Sequence, residues 1–257
     1  MNYGLQLSAS GVLTSLYRQD VLANNLANVN TVGFKLDMVT TRQREVVRIE
    51  DGLSYMSSNK MLEQLGGGVL MLPNRVSFAQ GPVLPTGNPL DLAIEGNGFF
   101  MVEDQSGTKG KNVLLTRDGR LTRNDRGELI QVTTGMRLLD DRGRPIRVPG
   151  GAKVAINNAG EIEADGVILG RVGLVDVQDR SMLRKRGGGL FEMDAQAQRI
   201  SGTGRIHQFS VEGSAVDPIK AMMAVMGASK DVGGNIGMMQ YQDRLMDRAI
   251  NVLGRVS

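Results

Sequence analysis

The chain has 257 residues, enough for one or two domains with apolar cores of their own. Its 30 lysine and arginine residues against 27 aspartate and glutamate residues leave a net charge of +3, spread along the chain rather than collected in a nucleic-acid-binding arm. Cysteine is absent, which excludes disulfides, thiolate metal sites and cysteine nucleophiles. The single histidine, His207, lies in an alternating segment and is predicted to be a strand residue, not a catalytic base.

No apolar stretch approaches the ~18 residues of a membrane-spanning helix. The N-terminal sequence MNYGLQLSASG lacks the positive and apolar regions of a secretory signal, so we expect no cleaved signal peptide. The densest basic cluster, Arg184 to Arg186, has no aromatic platform beside it and is interpreted as a solvated loop. We therefore predict no nucleic-acid partner, and we also predict no small-molecule substrate, cofactor or metal.

The N-terminal segment is predicted to be a helix with a coiled-coil-like seam. Apolar or small residues recur at spacings of three and four, with one interruption at Gln19. This pattern places them on one helix face, where a partner helix can cover them. The seam residues are Leu5, Ala9, Val12, Leu16, Ala23 and Leu26.

Residues 22–35, LANNLANVNTVGFK, end this helix and are the most distinctive segment of the chain. Leu22 and Leu26 continue the apolar stripe, and three asparagines fall beside it. Asparagine disfavours a helix because its amide competes for backbone hydrogen bonds, so these amides indicate another task. They would either be paired across an interface or cap the helix end near Gly33, which suits a left-handed stop. The asparagines are Asn24, Asn25 and Asn28.

Residues 36–75 contain scattered apolar residues without a clean period, which predicts a linker or extended segment that depends on assembly for its shape. Within this segment, residues 56–65 could form a short helix. The run Gly66 to Gly68 lacks the Lys-Ser/Thr of a phosphate-binding loop and is interpreted as a hinge.

Residues 76–212 are predicted to form a β-rich domain. Short alternating apolar runs are separated by turn signals, such as Asp118-Gly119, at intervals typical of successive hairpins. The acidic residues in these turns lack the D-x-D-x-D-G spacing of a calcium loop, so turn formation is the favoured role.

The C-terminal segment is predicted to be a second helix, with Asp217 as its cap and Pro218 as its first residue. Four internal glycines each cost on the order of 1 kcal/mol relative to alanine, so this helix is expected to need partners. Residues spaced by seven mark its seam, and other apolar residues fill intervening positions. The heptad residues are Val225, Val232, Met239, Met246 and Leu253, and the intervening ones are Met222, Ile236 and Ile250.

These elements predict an α+β fold, in which the N- and C-terminal helices pair as a coiled-coil-like domain and a central all-β domain lies between them in sequence. Two seams at opposite ends of one chain favour this pairing. The predicted division is residues 1–35 plus 213–257 for the terminal helical assembly domain, 36–75 for the linker and 76–212 for the β-rich domain.

The segment ANNLANVNTVGFK resembles the N-terminal signature of bacterial flagellar axial proteins, the family of basal-body rod and hook subunits. Three further stretches resemble the family in the same order: LDLAIEGNGFF at 90–100, LLTRDGRLTRNDRGELI at 114–130 and VEGSAVDPIKAMMAVM at 211–226. The chain departs from the family pattern at Ala215, where the family has asparagine, and at residues 230–234, so the family's local contacts are not carried over there.

The resemblance implies a non-enzymatic, self-assembling structural subunit of the flagellar basal-body rod, the shaft used in flagellum-dependent motility. It also implies an outer position for the β domain. The chain is too short for the extra outer domain of hook subunits, so a rod subunit is favoured over a hook-type subunit. The stretch GGGVLMLPNRV resembles distal rod proteins, whereas GGGLFEMDAQAQRISGTGRIHQFSVEGSAVDP resembles the proximal rod protein, which is preferred.

The implied partners are copies of the chain itself, other rod and hook subunits, and the flagellar export apparatus. The protein would be exported to the basal body by the type III pathway without a cleaved signal. Its helix seams would face partner helices, and the asparagine amides would fix register between subunits. The predicted assembly-interface residues are Leu5, Val12, Leu16, Leu22, Asn24, Asn25, Leu26, Asn28, Gly33, Phe34, Met222, Val225, Ile236, Met239, Met246, Ile250 and Leu253.

Two other classes of function remain as alternatives. One is an enzyme or carbohydrate-binding β domain with helical dimerisation arms, and the other is a soluble adaptor or export-associated binding module. The enzyme lacks a recognisable site, because the chain has one histidine, 4% aromatic residues and no acid pair at a recognisable spacing.

Overall fold

The computed structural model describes residues 3–50, 52–57, 66–104 and 112–253. The chain divides into two compact units. The helical unit contains the chain up to Ala27, the segment Asp37–Val76 and the chain from Asp217 onward. The β unit contains Asn28–Leu36 and Ser77–Val216.

The described part of the helical unit contains three helices, one 3-10 turn and two strands. The helices are α1 (Tyr3–Ala27), the single turn α2 (Val47–Glu50) and α3 (Pro218–Leu253), and the 3-10 turn is Leu53–Tyr55. Strands β1 (Asp37–Gln43) and β2 (Val69–Val76) pair antiparallel. These strands lie in the segment predicted as a linker, so much of that segment has regular structure within the chain.

The run Gly66 to Gly68 extends this ladder instead of forming the predicted hinge. The Gly67 N–H donates to the Glu45 carbonyl at 3.0 Å, and the Gly68 carbonyl accepts from the Arg44 N–H at 2.9 Å. A Cβ on Gly67 would lie 2.7 Å from the Glu45 carbonyl oxygen, so glycine permits this close approach of two chain segments. Of the predicted short helix at 56–65, residues 58–65 lie outside the described residues.

Helices α1 and α3 pack against each other in antiparallel directions. The Asn235 side-chain amide donates to the Ser15 hydroxyl at 3.1 Å. Nearer the start of α1, a Cβ on Gly4 would lie 2.8 Å from Nε2 of Gln242. Residues nearer the N-terminus of α1 therefore contact residues nearer the C-terminus of α3.

The start of α3 confirms the prediction for its cap. Pro218 is the first helical residue, and the Asp217 carboxylate accepts hydrogen bonds from the N–H groups of Ile219 (3.0 Å) and Lys220 (3.1 Å). These two donors have no partner inside the helix, so the carboxylate satisfies both.

The buried and half-buried residues of α3 include a series of seven at spacings of four and three, and three of the seven were predicted. The predicted residues spaced by seven, from 225 to 239, are half-buried. The residues that alternate with them in the series are alanines or carry an amide, which lets the two helices approach closely. Met222 and Ile236, the large residues predicted for the seam, are exposed instead. The observed series is Ala221, Val225, Ala228, Val232, Asn235, Met239 and Gln242.

The β unit is built from short strands joined by tight turns, as the alternating pattern predicted. Its strands are β3 (Val83–Pro85), β4 (Leu92–Glu95), β5 (Phe99–Asp104), β6 (Asn112–Thr116), β7 (Leu121–Arg123), β8 (Leu129–Gln131), β9 (Arg137–Leu138), β10 (Val154–Ile156), β11 (Glu161–Ala164), β12 (Val167–Arg171), β13 (Leu174–Val177), β14 (Leu183–Gly187), β15 (Leu190–Met193), β16 (Arg199–Ser201), β17 (Arg205–Gln208) and β18 (Ser210–Glu212). A 3-10 turn, Arg180–Met182, lies between β13 and β14.

Antiparallel pairing connects these strands into several small sheets around one core. The largest sheet has the order β14-β15-β6-β5-β9-β8-β7, with β13 pairing both β5 and β16. Strands β10, β11 and β12 form a second sheet, β17 pairs with β4, and β18 pairs with β3. The last two pairings join strands about 110 to 130 residues apart, so the end of the β unit closes back onto its beginning.

The core of the β unit is a closed cluster of aliphatic side chains and one aromatic ring. Leu92, Ile94, Phe100, Val102 and Leu129 are completely buried in it. With terminal helices and a central region of many strands, the fold class is α+β, as predicted. In the part of the chain that the structure describes, no helix is both long and apolar enough to cross a membrane.

Candidate assembly interface

The helix end at Asn25 is fastened to the chain's own first strand. The Asn25 side chain is 4% exposed. Its Nδ2 donates to the Asp37 carbonyl at 2.8 Å, and its Oδ1 accepts from the Asp37 N–H at 2.9 Å. The amide therefore pairs with one backbone residue of the helical unit, a placement that differs from the inter-subunit bond and from the helix-end cap predicted for it.

The other two asparagines are less enclosed. Asn24 is exposed and Asn28 is half-buried. The Asn28 side-chain oxygen accepts from the Thr31 hydroxyl, and its carbonyl accepts from the Thr31 N–H, both at 3.1 Å. Asn28 thus organises the turn after α1 through its two bonds to Thr31.

Gly33 and Phe34, predicted as assembly contacts, lie instead within the β unit. Gly33 has a φ of +67°, and a Cβ there would lie 2.6 Å from the carbonyl carbon of Arg117. Its N–H donates to the Glu212 carbonyl at 2.7 Å. The Phe34 ring is buried, with the Lys185 ammonium 4.4 Å from its centroid. Sequence reasoning identified Gly33 as a helix stop, whereas its contact with Arg117 depends on the tertiary fold.

Lys35 completes this anchor through a buried ion pair. Its ammonium lies 2.6 Å from one Glu212 carboxylate oxygen and donates to the Ala79 carbonyl at 2.7 Å. The Arg117 guanidinium lies 2.8 Å from the other Glu212 oxygen, and the Gly81 N–H donates to the first at 2.9 Å. The three charged side chains are at most 3% exposed, so an acid joins two bases in the interior.

The electrostatics of this cluster favour keeping its members together. Burial lowers the pKa of Lys35 from its ordinary value, and the attraction and hydrogen bond of Glu212 oppose that shift. Removing one partner of such a cluster leaves a charge without compensation in the interior, which is strongly destabilising. Residues Asn28–Leu36 are therefore an anchored segment, held by the β unit through Gly33, Phe34 and Lys35.

Sequence reasoning missed Lys35, Arg117 and Glu212. The only local signal was a charged residue at the edge of an apolar run, as in Phe34-Lys35-Leu36 and Val211-Glu212. Because many such charges are simply solvated, the signal does not distinguish a buried ion pair. The partners are separated by up to 177 residues, so their meeting depends on the whole fold.

Several predicted assembly residues do lie on exposed helix faces. Leu16 on α1 is 41% exposed, and Met222, Ile236 and Ile250 on α3 are 58%, 41% and 69% exposed. Met246 is 37% exposed. Other predicted residues are half-buried, and the side chain of Leu253 lies outside the described part. The half-buried residues are Leu5, Val12, Leu22, Leu26, Val225 and Met239.

The exposed apolar surface of the helices is larger than predicted. On α1 it includes Leu13, and on α3 it includes residues spaced by three or four that form stripes along the helix. A monomer rarely exposes so many large apolar side chains unless another molecule covers them. The additional exposed residues of α3 are Ile219, Met223, Met226, Met238, Tyr241 and Leu245.

The single histidine is a strand residue that pairs with an acidic side chain. His207 lies on β17, as predicted, with its Nε2 2.6 Å from a carboxylate oxygen of Glu95 at the protein surface. Among the described residues, no group of three or more histidine or acidic side chains is placed to hold a metal ion.

Two models of known protein families match this chain, one at its N-terminal helix and one in the β unit. The model of the "Flagella basal body rod protein" family matches residues 5–35, which include most of α1 and most of the anchored segment. The model of the "Flagellar hook protein FlgE/F/G D1 domain" matches residues 93–164 in the β unit. The flagellar basal-body rod protein FlgF of Caulobacter vibrioides is 31% identical over 261 residues, with all of both chains covered. The chain belongs to the flagellar basal-body rod proteins.

This family membership confirms the resemblance seen in the sequence. FlgF of Mesorhizobium japonicum is 27% identical over 267 residues, covering 100% of both chains. FlgG of Bacillus subtilis is 25% identical over 256 residues, covering 95% of this chain and 96% of that protein. The FlgF and FlgG relatives named here each cover at least 95% of this chain. The FlgF protein of Caulobacter is more similar to it than the other two.

Proposed function

We propose that this protein is a non-enzymatic structural subunit of the bacterial flagellar basal-body rod, which assembles with copies of itself and with other rod and hook subunits into the drive shaft for motility. The observation that carries the proposal is the set of large apolar side chains exposed on α1 and α3, such as Leu13, Met223 and Ile250. Complete burial of one such side chain by a neighbouring subunit would stabilise the assembly by about 1.5–3 kcal/mol.

The contact between α1 and α3 gives a physical reason for this exposure. The facing series consists of alanine, valine and amide side chains together with Met239, while the exposed methionine and isoleucine side chains occupy the outer faces. The pair can therefore form a narrow coiled-coil-like contact within one chain and present its apolar outer faces to neighbouring subunits. Methionine is well suited to such faces because its flexible side chain packs against neighbours of different shape.

Repeated contacts between different faces of identical subunits generate an open assembly, because nothing in such a contact limits the number of copies. In the proposed rod, the helical unit would supply these contacts and the β unit would lie outside. The assembly role predicted for residues 1–35 and 213–257 is thereby kept for the helices, whereas the anchored segment Asn28–Leu36 belongs to the β unit.

The proximal position in the rod stays the preferred one, on the resemblance of the stretch GGGLFEMDAQAQRISGTGRIHQFSVEGSAVDP to the proximal rod protein. Delivery would use the flagellar export apparatus without cleavage of a signal peptide. The absence of cysteine suits this route, since no disulfide has to form or be reduced when a chain crosses in an unfolded state.

The test is a complementation experiment with a matched pair of substitutions. Met222→Lys places a charge on the exposed face of α3, and Val132→Lys places one on the β unit at a residue of nearly equal exposure, 58% against 56%. Both variants should fold, but only Met222→Lys should abolish motility and shorten the rods of purified basal bodies seen by electron microscopy. Normal rods with Met222→Lys would argue against the proposed interface.

A further inference from the structure

The open edge of the small sheet β10-β11-β12 carries an apolar surface that the rod proposal does not use. Strand β12 pairs with β11 on one side, and none of the described strands pairs with its other side. At the end of the strand the Arg171 carbonyl accepts from the Asp141 N–H at 3.3 Å, so the open part of the edge is residues 167–170. Its residues Val167, Ile168 and Leu169 are 62%, 69% and 37% exposed. An exposed apolar edge strand presents free backbone donors and acceptors, and natural proteins usually protect such edges.

The turn before β12 determines which backbone groups face outward. Asp165 and Gly166 have φ values of 49° and 83°, which fit a type I′ turn between the paired residues Ala164 and Val167. In such a hairpin the residues flanking the turn form the hydrogen-bonded pair, so the next pair, Glu163 with Ile168, is the non-hydrogen-bonded one. The N–H and C=O of Ile168 consequently point toward the open edge.

We propose that the open edge of β12 binds the same edge of a second copy of this chain, antiparallel and about a twofold axis at Ile168. The Ile168 residues of the two copies would exchange both of their backbone hydrogen bonds. This pairing joins two three-stranded sheets into one sheet of six strands and covers the apolar residues of both edges.

Charge supports a second copy as the occupant. In a symmetric antiparallel pairing centred on Ile168, Arg171 of one copy lies opposite the turn that contains Asp165 of the other. The same contact occurs twice because the axis relates the copies. Arg171 and Asp165 are both exposed. The Arg171 Nε donates to the Ala159 carbonyl in the turn that leads into β11 of its own chain, so its terminal guanidinium nitrogens are the groups that would reach Asp165 of the second copy. The edge is therefore complementary to itself in charge as well as in backbone pattern.

A cleft beside the strand offers space for side chains of the second copy. It has a volume of about 350 Å³ and is lined by Asp140, Arg144, Pro145, Ile146, Arg147, Leu169 and Gly170. These arginines are paired with Asp140 and Glu128 of their own chain, so their charges are compensated within one copy. Val167 or Leu169 of the second copy would enter this cleft.

The expected product is a weak, closed dimer in solution. One five-residue strand covers much less than the ~1,200 Å² of a stable protein interface, so the dimer should be in rapid exchange with monomer. A twofold contact also closes on itself, unlike the open contacts of the proposed rod. The pairing is thus independent of the proposed function and would precede or compete with assembly.

The experiment uses the absence of cysteine in the full chain. Ile168→Cys introduces one thiol on the proposed axis, and Val132→Cys introduces one at an exposed position elsewhere on the β unit. Each variant is treated with a short bismaleimide, and cross-linked dimer is measured against protein concentration. We expect Ile168→Cys to form cross-linked dimer well below the concentration at which Val132→Cys does.

A second pair of variants tests the charge complementarity. In the Ile168→Cys background, Arg171→Glu should lower the cross-linking rate about two- to five-fold, as expected for loss of exposed ion pairs, whereas Arg171→Lys should keep it. Circular dichroism of each variant verifies that the β unit is folded. Equal cross-linking at residues 168 and 132 would mean that copies associate through their helices alone, and would overturn the edge pairing. Equal rates for Arg171→Glu and Arg171→Lys would overturn the proposed register.

Discussion

The two units of this protein bury their apolar residues to very different degrees. In the β unit, residues such as Leu92, Phe100 and Leu129 are completely buried in a closed core. In the helical unit, Ile219, Met223 and Ile250 are 72%, 67% and 69% exposed along a 36-residue helix. The difference indicates that the β unit is complete within one chain, whereas the helical unit becomes complete only when other molecules cover it.

The largest expected effect comes from the ion cluster inside the β unit. Glu212→Ala leaves the buried cations of Lys35 and Arg117 without their shared partner, so we expect a loss of about 3–5 kcal/mol in unfolding free energy. Urea denaturation measures it. Glu95→Ala, which removes an exposed acid paired with His207, is the control and should cost less than about 1 kcal/mol. Equal losses would show that the cluster is not a main support of the β unit.

A smaller effect is expected from the close contact at Gly33. Gly33→Ala adds a Cβ at a left-handed residue and 2.6 Å from the carbonyl carbon of Arg117, and should cost about 3 kcal/mol. Gly87→Ala is a matched control, because Gly87 has a φ of +77° with nothing within 4 Å of its added Cβ. Gly87→Ala introduces only the backbone strain of a left-handed alanine. Gly33→Ala should therefore have the lower melting temperature of the two variants. Identical melting temperatures would rule out steric anchoring at Gly33.

In the helical unit, Asn25→Ala should cost about 2 kcal/mol, because it removes two hydrogen bonds to the backbone of Asp37. Asn24→Ala changes an exposed neighbour and should cost less than Asn25→Ala. Urea unfolding followed by the circular-dichroism signal of the helices and by that of the β structure would show which unit has lost stability. If both variants lose the same stability, the fastening of α1 to β1 is not specific to Asn25.

The smallest effect is a decline in β-unit stability at acid pH. The pKa of Glu128 is lowered from its ordinary value of 4.5 by the hydrogen bond from Asn124 and by Arg147 and Arg137, which together outweigh burial. A carboxyl with a lowered pKa in the folded state contributes stability above its unfolded pKa and loses it as the pH falls through the folded value. Unfolding free energy should therefore decrease below about pH 4.5, and Glu128→Gln should flatten that decrease. An unchanged slope in Glu128→Gln would assign the acid sensitivity to other groups.

The α+β fold and the start of α3 could be predicted from the sequence because their signals are local. Alternating runs with glycine turns indicate strands, and Asp217-Pro218 marks a helix start within two residues. The residues of the α3 series that alternate with the predicted ones could not be predicted. Apolar pattern alone favours Met222 and Ile236 over Ala221 and Ala228. Close approach of α1 reverses that preference, and it is a tertiary effect.

The candidate site was predicted only in part for the same reason. Residues 22–35 stood out as important, but the pattern could not distinguish an amide bonded within the chain from one bonded to a neighbour. Asn25 meets Asp37 twelve residues later, and Lys35 meets Glu212 across most of the chain. Such pairings follow from topology, which local spacing does not encode.

The most direct test of an incomplete helical unit is hydrogen exchange measured by mass spectrometry on the dilute monomer and on assembled rods. In the monomer, amides of α3 should exchange far faster than those of β5 and β6, because local opening requires little energy where few apolar contacts hold a helix. In rods, α3 should become protected while β5 and β6 stay as they were. Protection of α3 equal to that of β5 in the dilute monomer would contradict the account.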